Sequence, residues 1–232
     1  MPDIELFSSK LCPFAHRVQL ALLEKRIDFW HTEIDLSNKP EWFLVIAPLG
    51  EVPVIRHEDR FVANSTVILE YLEDVYPLPS LRPAEPGRLA TCRFWMRYAD
   101  DRLAPAIERC IRAEAADEQA AAAAELREHL TFLEREGLAR CGRGPFWLGK
   151  EPSILDFAFY PFFEQLPAIQ QHRPVALPLM SIRLRYWLDA MRELESVKAA
   201  RSPVESHAET IHQSARQRPA ARTGGKVEFL HA

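Results

Sequence analysis

In the first third of the chain, apolar residues come in short bursts between polar ones; beyond it they recur every third or fourth position. Residues 4–7 make a brief apolar run of strand type. Phe14, Val18, Ala21 and Leu22 then fall on one helical face, and residues 29–34 read as a second strand, so the chain opens as a βαβ unit. A short helix is expected over 37–43, and Ala47-Pro48-Leu49-Gly50 reads as a loop stopped by its glycine. Residues 52–56 read as a third strand. Pro53 cannot donate to a ladder, so this segment is either an edge strand or a place where the backbone stays free to bind something. A turn at 57–59 and a strand at 61–63 complete a hairpin. The helix expected over 65–76 carries Val67, Ile68, Tyr71, Leu72 and Val75 as its apolar stripe.

Prolines at 77, 79, 83 and 86 break this pattern with the composition of a semi-rigid linker. After them Cys92, Met96, Ala99, Leu103, Ala106 and Cys110 step along one helical face, which Pro105 should kink. Residues 117–140 read as a second helix, and 141–145 as a loop in which Cys141 is an incidental exposed thiol. Ser153 to Asp156 has the spacing of a capping box. The helix it opens is apolar nearly all round at 157–163, as befits the middle of a bundle. A further helix carries Leu184, Trp187, Leu188, Met191 and Leu194, and from 202 the chain is polar and aperiodic, which predicts a flexible tail. The expected organisation is an α/β domain over 1–78, a linker over 79–86, an all-α domain over 87–201 and a tail over 202–232.

Composition adds little to this picture except by exclusion. The chain has 232 residues, 47% hydrophobic and 27% charged, within the ordinary range for a soluble globular protein. A net charge of −4 gives no reason to expect nucleic acid as a partner. The N-terminus is too polar for a leader and no apolar run reaches membrane-spanning length, so a membrane partner is not expected. Four scattered cysteines without scaffold spacing suggest a reducing, cytoplasmic setting.

The candidate chemistry lies at Cys12. It sits between the first strand and the first helix, with Pro13 at the first helical position. Unpaired N–H groups and the positive end of the helix dipole favour a thiolate there, and the thiolate is the nucleophile. Cys12-Pro13-Phe14-Ala15 lacks the second cysteine of a dithiol motif, so release of an oxidised Cys12 calls for an external small-molecule thiol. His16 and Arg17 are read as structural or surface residues. Some of Arg93, Phe94, Trp95, Arg97 and Tyr98 are candidates to line a second-substrate pocket.

From Ile4 to about Ala200 the chain resembles a cytosolic-type glutathione transferase, closest to the omega-like branch that uses cysteine. The resemblance is carried by Cys12-Pro13-Phe14 with His16-Arg17, by Asn38 to Phe43, by Pro48 to Val54, by Ser65 opening a helix that reads Ile68-Leu69-Glu70-Tyr71-Leu72, and by Ser153 to Asp156. It implies an N-terminal thioredoxin-like domain followed by a C-terminal helical bundle domain. It implies glutathione as co-substrate and no metal, with Cys12 forming a mixed disulfide with glutathione and Phe14 beside it. Lys39 would face the glycine carboxylate. Val52, before a cis Pro53, would pair its backbone with the cysteinyl moiety, and Ser65 would hold the γ-glutamyl carboxylate, as helix starts hold anions. The second substrate would be a small electrophile or disulfide, and the protein a homodimer. The departure is Asn64, where similar proteins usually carry Glu or Gln facing the γ-glutamyl group. Asn is also among the best helix N-caps, so both roles stand open. The alternative class is a non-catalytic member that uses the fold as an interaction platform, as the stringent starvation protein A group does.

Overall fold

In the computed structural model, which describes residues 2–216, the alternating N-terminal segments form one mixed sheet of order β2-β1-β3-β4. Strand β1 (Ile4–Ser8) runs parallel to β2 (Phe29–Glu33), with Leu6 opposite His31, and helix α1 (Pro13–Glu24) makes the crossover. Strand β3 (Val54–His57) is antiparallel to β1, with Ile55 opposite Leu6, and pairs by a tight hairpin with β4 (Arg60–Ala63). Alternation sends side chains to two cores. Ile4, Leu6 and Ile55 join a large core with Val18, Leu22, Ile68 and Leu72 of α1 and α3 (Ser65–Val75), while Phe7 and Val54 pack with Ile34, Ala47 and Phe43 of α2 (Glu41–Ile46).

Two readings are settled here. β3 is an inner strand, so Pro53 marks no edge; it lies just before the ladder, and the Val52–Pro53 peptide is cis. The buried stripe of α3 is Ile68, Leu69 and Leu72 together with Glu73, while Val67 and Val75 are 54% and 37% exposed. Glu73 can go inside because it pairs with buried Lys25 at 2.6 Å and accepts hydrogen bonds from the N–H groups of Leu81 and Arg82. An apolar count cannot assign such a charged residue to the buried face.

Residues 76–85 lead to α4 (Pro86–Tyr98), which passes through a π-helical turn (Ala99–Leu103) into α5 (Ala104–Arg112). The wider turn takes up the residue whose N–H is missing at Pro105, so the helix is redirected without being broken. Helix α6 (Ala116–Phe132) likewise runs through a π turn (Leu133–Leu138) into α7 (Ala139–Cys141). Cys141 is half-buried against Trp95 and Trp147, not exposed, and burial pushes its thiol up from the ordinary value.

Helix α8 (Ile154–His172) is the axis of the helical part and keeps its course through Pro161 and Pro167. Its N-terminus is fixed by Asp156, fully buried, which accepts from Ser153 N and Oγ at 2.8 and 2.7 Å and from Trp147 N and Trp187 Nε1 at 2.8 Å each. Helices α9 (Ile182–Glu193), α10 (Glu195–Ala200) and α11 (Val204–Arg216) complete the described residues. The last of these stands where a flexible tail was expected. It packs on α8 and α5 with His207 and Ile211 buried, and His207 Nε2 lies 3.6 Å from Glu164 Oε2. A composition argument misses an anchor made of one isoleucine and one buried histidine set against a carboxylate. The remainder of the expected tail, 217–232, lies outside the described residues. Among the described residues no helix is long and apolar enough to cross a membrane.

Candidate functional site

The site grows from the turn between β1 and α1. Cys12 is the N-cap of α1, in an extended conformation (φ −68°, ψ 116°), with Pro13 next in the helix. Its N–H bonds back to Ser9 O at 3.0 Å, and its carbonyl accepts the first helical bond from His16 N at 3.0 Å. The preceding Leu11 has φ +58°, a left-handed conformation that costs a branched residue about 1–2 kcal/mol. It is held there because Gln165 of α8 donates from Nε2 to Leu11 O at 2.7 Å. The helical domain thus fixes the loop that presents Cys12.

Electrostatics at the thiol differ from the sequence expectation. Burial pushes the Cys12 thiol up from its ordinary value, outweighing the N–H groups of Ala15 and Phe14 and the charge of Arg17, which all favour the thiolate. A helix start is a partial charge; the loss of water around a sulfur lodged between two domains is the larger effect.

Phe14 packs edge-on against Phe162 of α8, ring centroids 5.6 Å apart, so it braces the domain interface. Lys39 lies on the exposed loop before α2, and its stem passes over Gly50. Gly50 has φ +62°, so the backbone there requires a glycine, while the flexible end of Lys39 could move aside from an added Cβ. Pro53 is buried and Val52 half-buried at the mouth of β3. Ser65 is buried at the first position of α3, and Asn64 before it is exposed, with φ +75°. The Oδ1 of Asn64 accepts from Thr66 N at 3.0 Å and Val67 N at 3.2 Å. Its amide oxygen is therefore committed to the cap.

The structure brings Cys12, Phe14 and Ser65 together through a residue that sequence reading left as structural. Arg17, one turn and a half along α1, is fully buried; its Nε donates to Ala158 O at 2.7 Å, and its Nη1 to Ser65 Oγ at 3.2 Å and to Asp100 Oδ1 at 2.5 Å. Its guanidinium carbon lies 5.0 Å from the Phe14 ring centroid and 4.8 Å from that of Phe162, a cation–π contact with each ring. Thr66 Oγ1 donates to the other oxygen of Asp100 at 2.8 Å. No spacing in the sequence marks Asp100, which the π turn after α4 delivers. The proposed pocket cluster divides instead. Arg93 pairs with Glu70 at 2.8 Å, Tyr98 bonds His129 at 2.6 Å, and Phe94 and Trp95 line a groove of 640 Å³ with Phe132, Arg127 and Arg135. Among the described residues no group of His, Cys, Asp and Glu is placed to hold a metal ion.

Comparison with known proteins agrees with this geometry at the level of a family. Residues 11–75 match the family described as glutathione S-transferase, N-terminal domain, and residues 104–192 match glutathione S-transferase, C-terminal domain. The chain is 31% identical over 202 residues to glutathione S-transferase omega-1 of Sus scrofa, covering 84% of this chain and 79% of that one. Among solved structures it is similar to rice GST1 in complex with glutathione (28% identity, TM-score 0.83, 93% of this chain and 98% of that one). It is similar also to glutathione transferase Omega 3C of Trametes versicolor (25% identity, TM-score 0.82, 93% and 91% covered).

Proposed function

This chain belongs to the glutathione S-transferase family, and we propose that within it the protein is a cysteine-type, glutathione-dependent thioltransferase working through Cys12. The observation that carries the reading is the position of Cys12 as N-cap of α1, where helix N–H groups and the Arg17 charge offset part of the burial that pushes its thiol up. In the first step the Cys12 thiolate attacks the glutathionyl sulfur of a mixed disulfide. A Cys12–glutathione S–S bond forms, the substrate S–S bond breaks, and the substrate thiolate leaves and takes up a proton from water. In the second step the thiolate of a second glutathione attacks the glutathionyl sulfur, giving oxidised glutathione and regenerating Cys12. Phe14, Lys39, Val52, Pro53, Asn64 and Ser65 form the glutathione seat in this reading. Ser65 serves the γ-glutamyl carboxylate, and Asn64 acts chiefly through the cap it makes.

The test is turnover of a small glutathionyl mixed disulfide by Cys12→Ser and by single Cys92→Ser, Cys110→Ser and Cys141→Ser variants. Activity should vanish only in the first. A Cys12→Ser enzyme at wild-type rate would end the proposal. The commitment of the Asn64 oxygen to the helix favours the second reading, an interaction platform without catalysis. Retention on immobilised glutathione separates the two, since only the enzyme reading requires it. A homodimer belongs to the first reading, supported by Phe94 and Phe132, 58% and 40% exposed along one groove; a monomer mass by light scattering at micromolar concentration would contradict it.

A further inference from the structure

Ordinarily a buried guanidinium is well compensated, because stripping water from it costs several kcal/mol. Arg17 is buried completely, has one acidic partner, whose own side chain is 25% exposed, and keeps Nη2 without a hydrogen-bond partner. Its contacts converge on the start of α3. There the N–H groups of Thr66 and Val67 are taken by Asn64 Oδ1, and that of Ile68 by Asn64 O, so the donors left in the first turn both belong to Ser65: its N–H and its O–H. A guanidinium only donates. At the 3.2 Å contact with Arg17 Nη1 the Ser65 oxygen must therefore accept, and its own hydrogen is turned away from Arg17. Asp100 grips both sides of this arrangement, accepting from Arg17 on one oxygen and from Thr66 Oγ1 on the other.

We propose that Arg17 is a positioning residue for the γ-glutamyl carboxylate of glutathione: by donating to Ser65 Oγ it fixes the serine hydroxyl as a donor toward the ligand, and Asp100 holds Arg17 in place. This rests on the reading of Ser65 as the carboxylate seat. It makes one carboxylate the object of both Ser65 donors, and it ties affinity for that end of the ligand to an ion pair that bridges the two domains.

Calorimetric titration with two ligands tests it: glutathione, and 4-aminobutyryl-cysteinyl-glycine, which lacks only the carboxylate in question. Arg17→Met should weaken glutathione by up to about tenfold and leave the analogue within about twofold. Ser65→Ala should do the same, and the double variant should bind glutathione no more weakly than Ser65→Ala alone, because Arg17 acts through the serine. Arg17→Lys, with a single donor nitrogen and the charge retained, should recover part of the loss. Should Arg17→Met not fold, Arg17→Lys carries the same two-ligand comparison. Equal weakening of both ligands, or a loss that adds fully to that of Ser65→Ala, overturns the proposal while leaving the seat intact. A wild type that binds the two ligands equally overturns the seat itself, and the proposal with it.

Discussion

Asp156→Ala would remove the one acceptor that closes the N-terminus of α8. The carboxylate is fully buried and accepts four hydrogen bonds from three residues, none of them cationic. Deleting it leaves Trp147 N, Ser153 N and Trp187 Nε1 as buried donors without partners, since the Ser153 hydroxyl can rotate but the three N–H groups cannot. At about 1–3 kcal/mol for each of these three unsatisfied buried donors, the cost is about 3–9 kcal/mol, comparable with the whole stability of a domain. Asp156→Asn keeps an oxygen for Trp147 and Trp187 but sets its amide against Ser153 N–H, at a cost of about 2 kcal/mol. Urea unfolding followed by tryptophan fluorescence measures both, with an unchanged slope as the check that only stability has moved. A loss below about 1 kcal/mol for Asp156→Ala, or an Asn variant as damaged as the Ala one, would refute the reasoning, which predicts that unsatisfied donors dominate.

The other predictions follow from single sites. Asn64→Ala gives up the cap of α3 and keeps a Cβ at φ +75°, costing about 2 kcal/mol, whereas Asn64→Gly relieves the backbone and should cost less; the reverse order in thermal unfolding would show the cap is not what Asn64 contributes. Burial disfavours a charge on Glu164, but His16 at 3.1 Å and His207 at 3.6 Å outweigh it and hold the carboxyl down at about 2. A depressed carboxyl adds stability above its unfolded value and loses it as pH falls toward the folded one, so between pH 5 and 2 the wild type should lose about 3 kcal/mol that Glu164→Gln does not; parallel acid limbs would count against the pair. With its thiol pushed up by burial, Cys12 in the free protein should alkylate more slowly than glutathione at pH 7, with a rate still rising beyond pH 8.5; a plateau below pH 8 contradicts this. Truncation after Arg201 should lower stability by about 3 kcal/mol through lost burial of Ile211 and His207, and an unchanged melting midpoint would show that α11 is not packed.

How far the fold could be read ahead depended on whether burial followed apolar identity. The βαβ opening, the hairpin and the course of α8 and α9 are carried by aliphatic and aromatic residues at the right period, and these stand in the structure close to where the pattern puts them. Two of the failures share a cause. Glu73 on α3 and His207 on α11 are polar residues buried because a partner from another part of the chain meets them, Lys25 in the first case and Glu164 in the second. Periodicity sees one element at a time, so a buried ion pair across elements looks to it like an exposed face or a loose tail.

The candidate site repeats this division at finer grain. Cys12, Pro13 and Ser65 were visible because each stands at a helix start, where local chemistry announces itself. The environment that sets their behaviour was not, because it comes from the second domain: Gln165 holding Leu11 in a left-handed turn, Ala158 and Asp100 holding Arg17, Phe162 packed on Arg17 and Phe14. Local reading therefore got the direction of the helix-start effect on the thiol right and the net direction wrong. The missing quantity was desolvation, a property of the packed fold, in which α8 lies against α1. In this chain the candidate nucleophile belongs to the first domain, while the loop that carries it is tied to the second through Gln165.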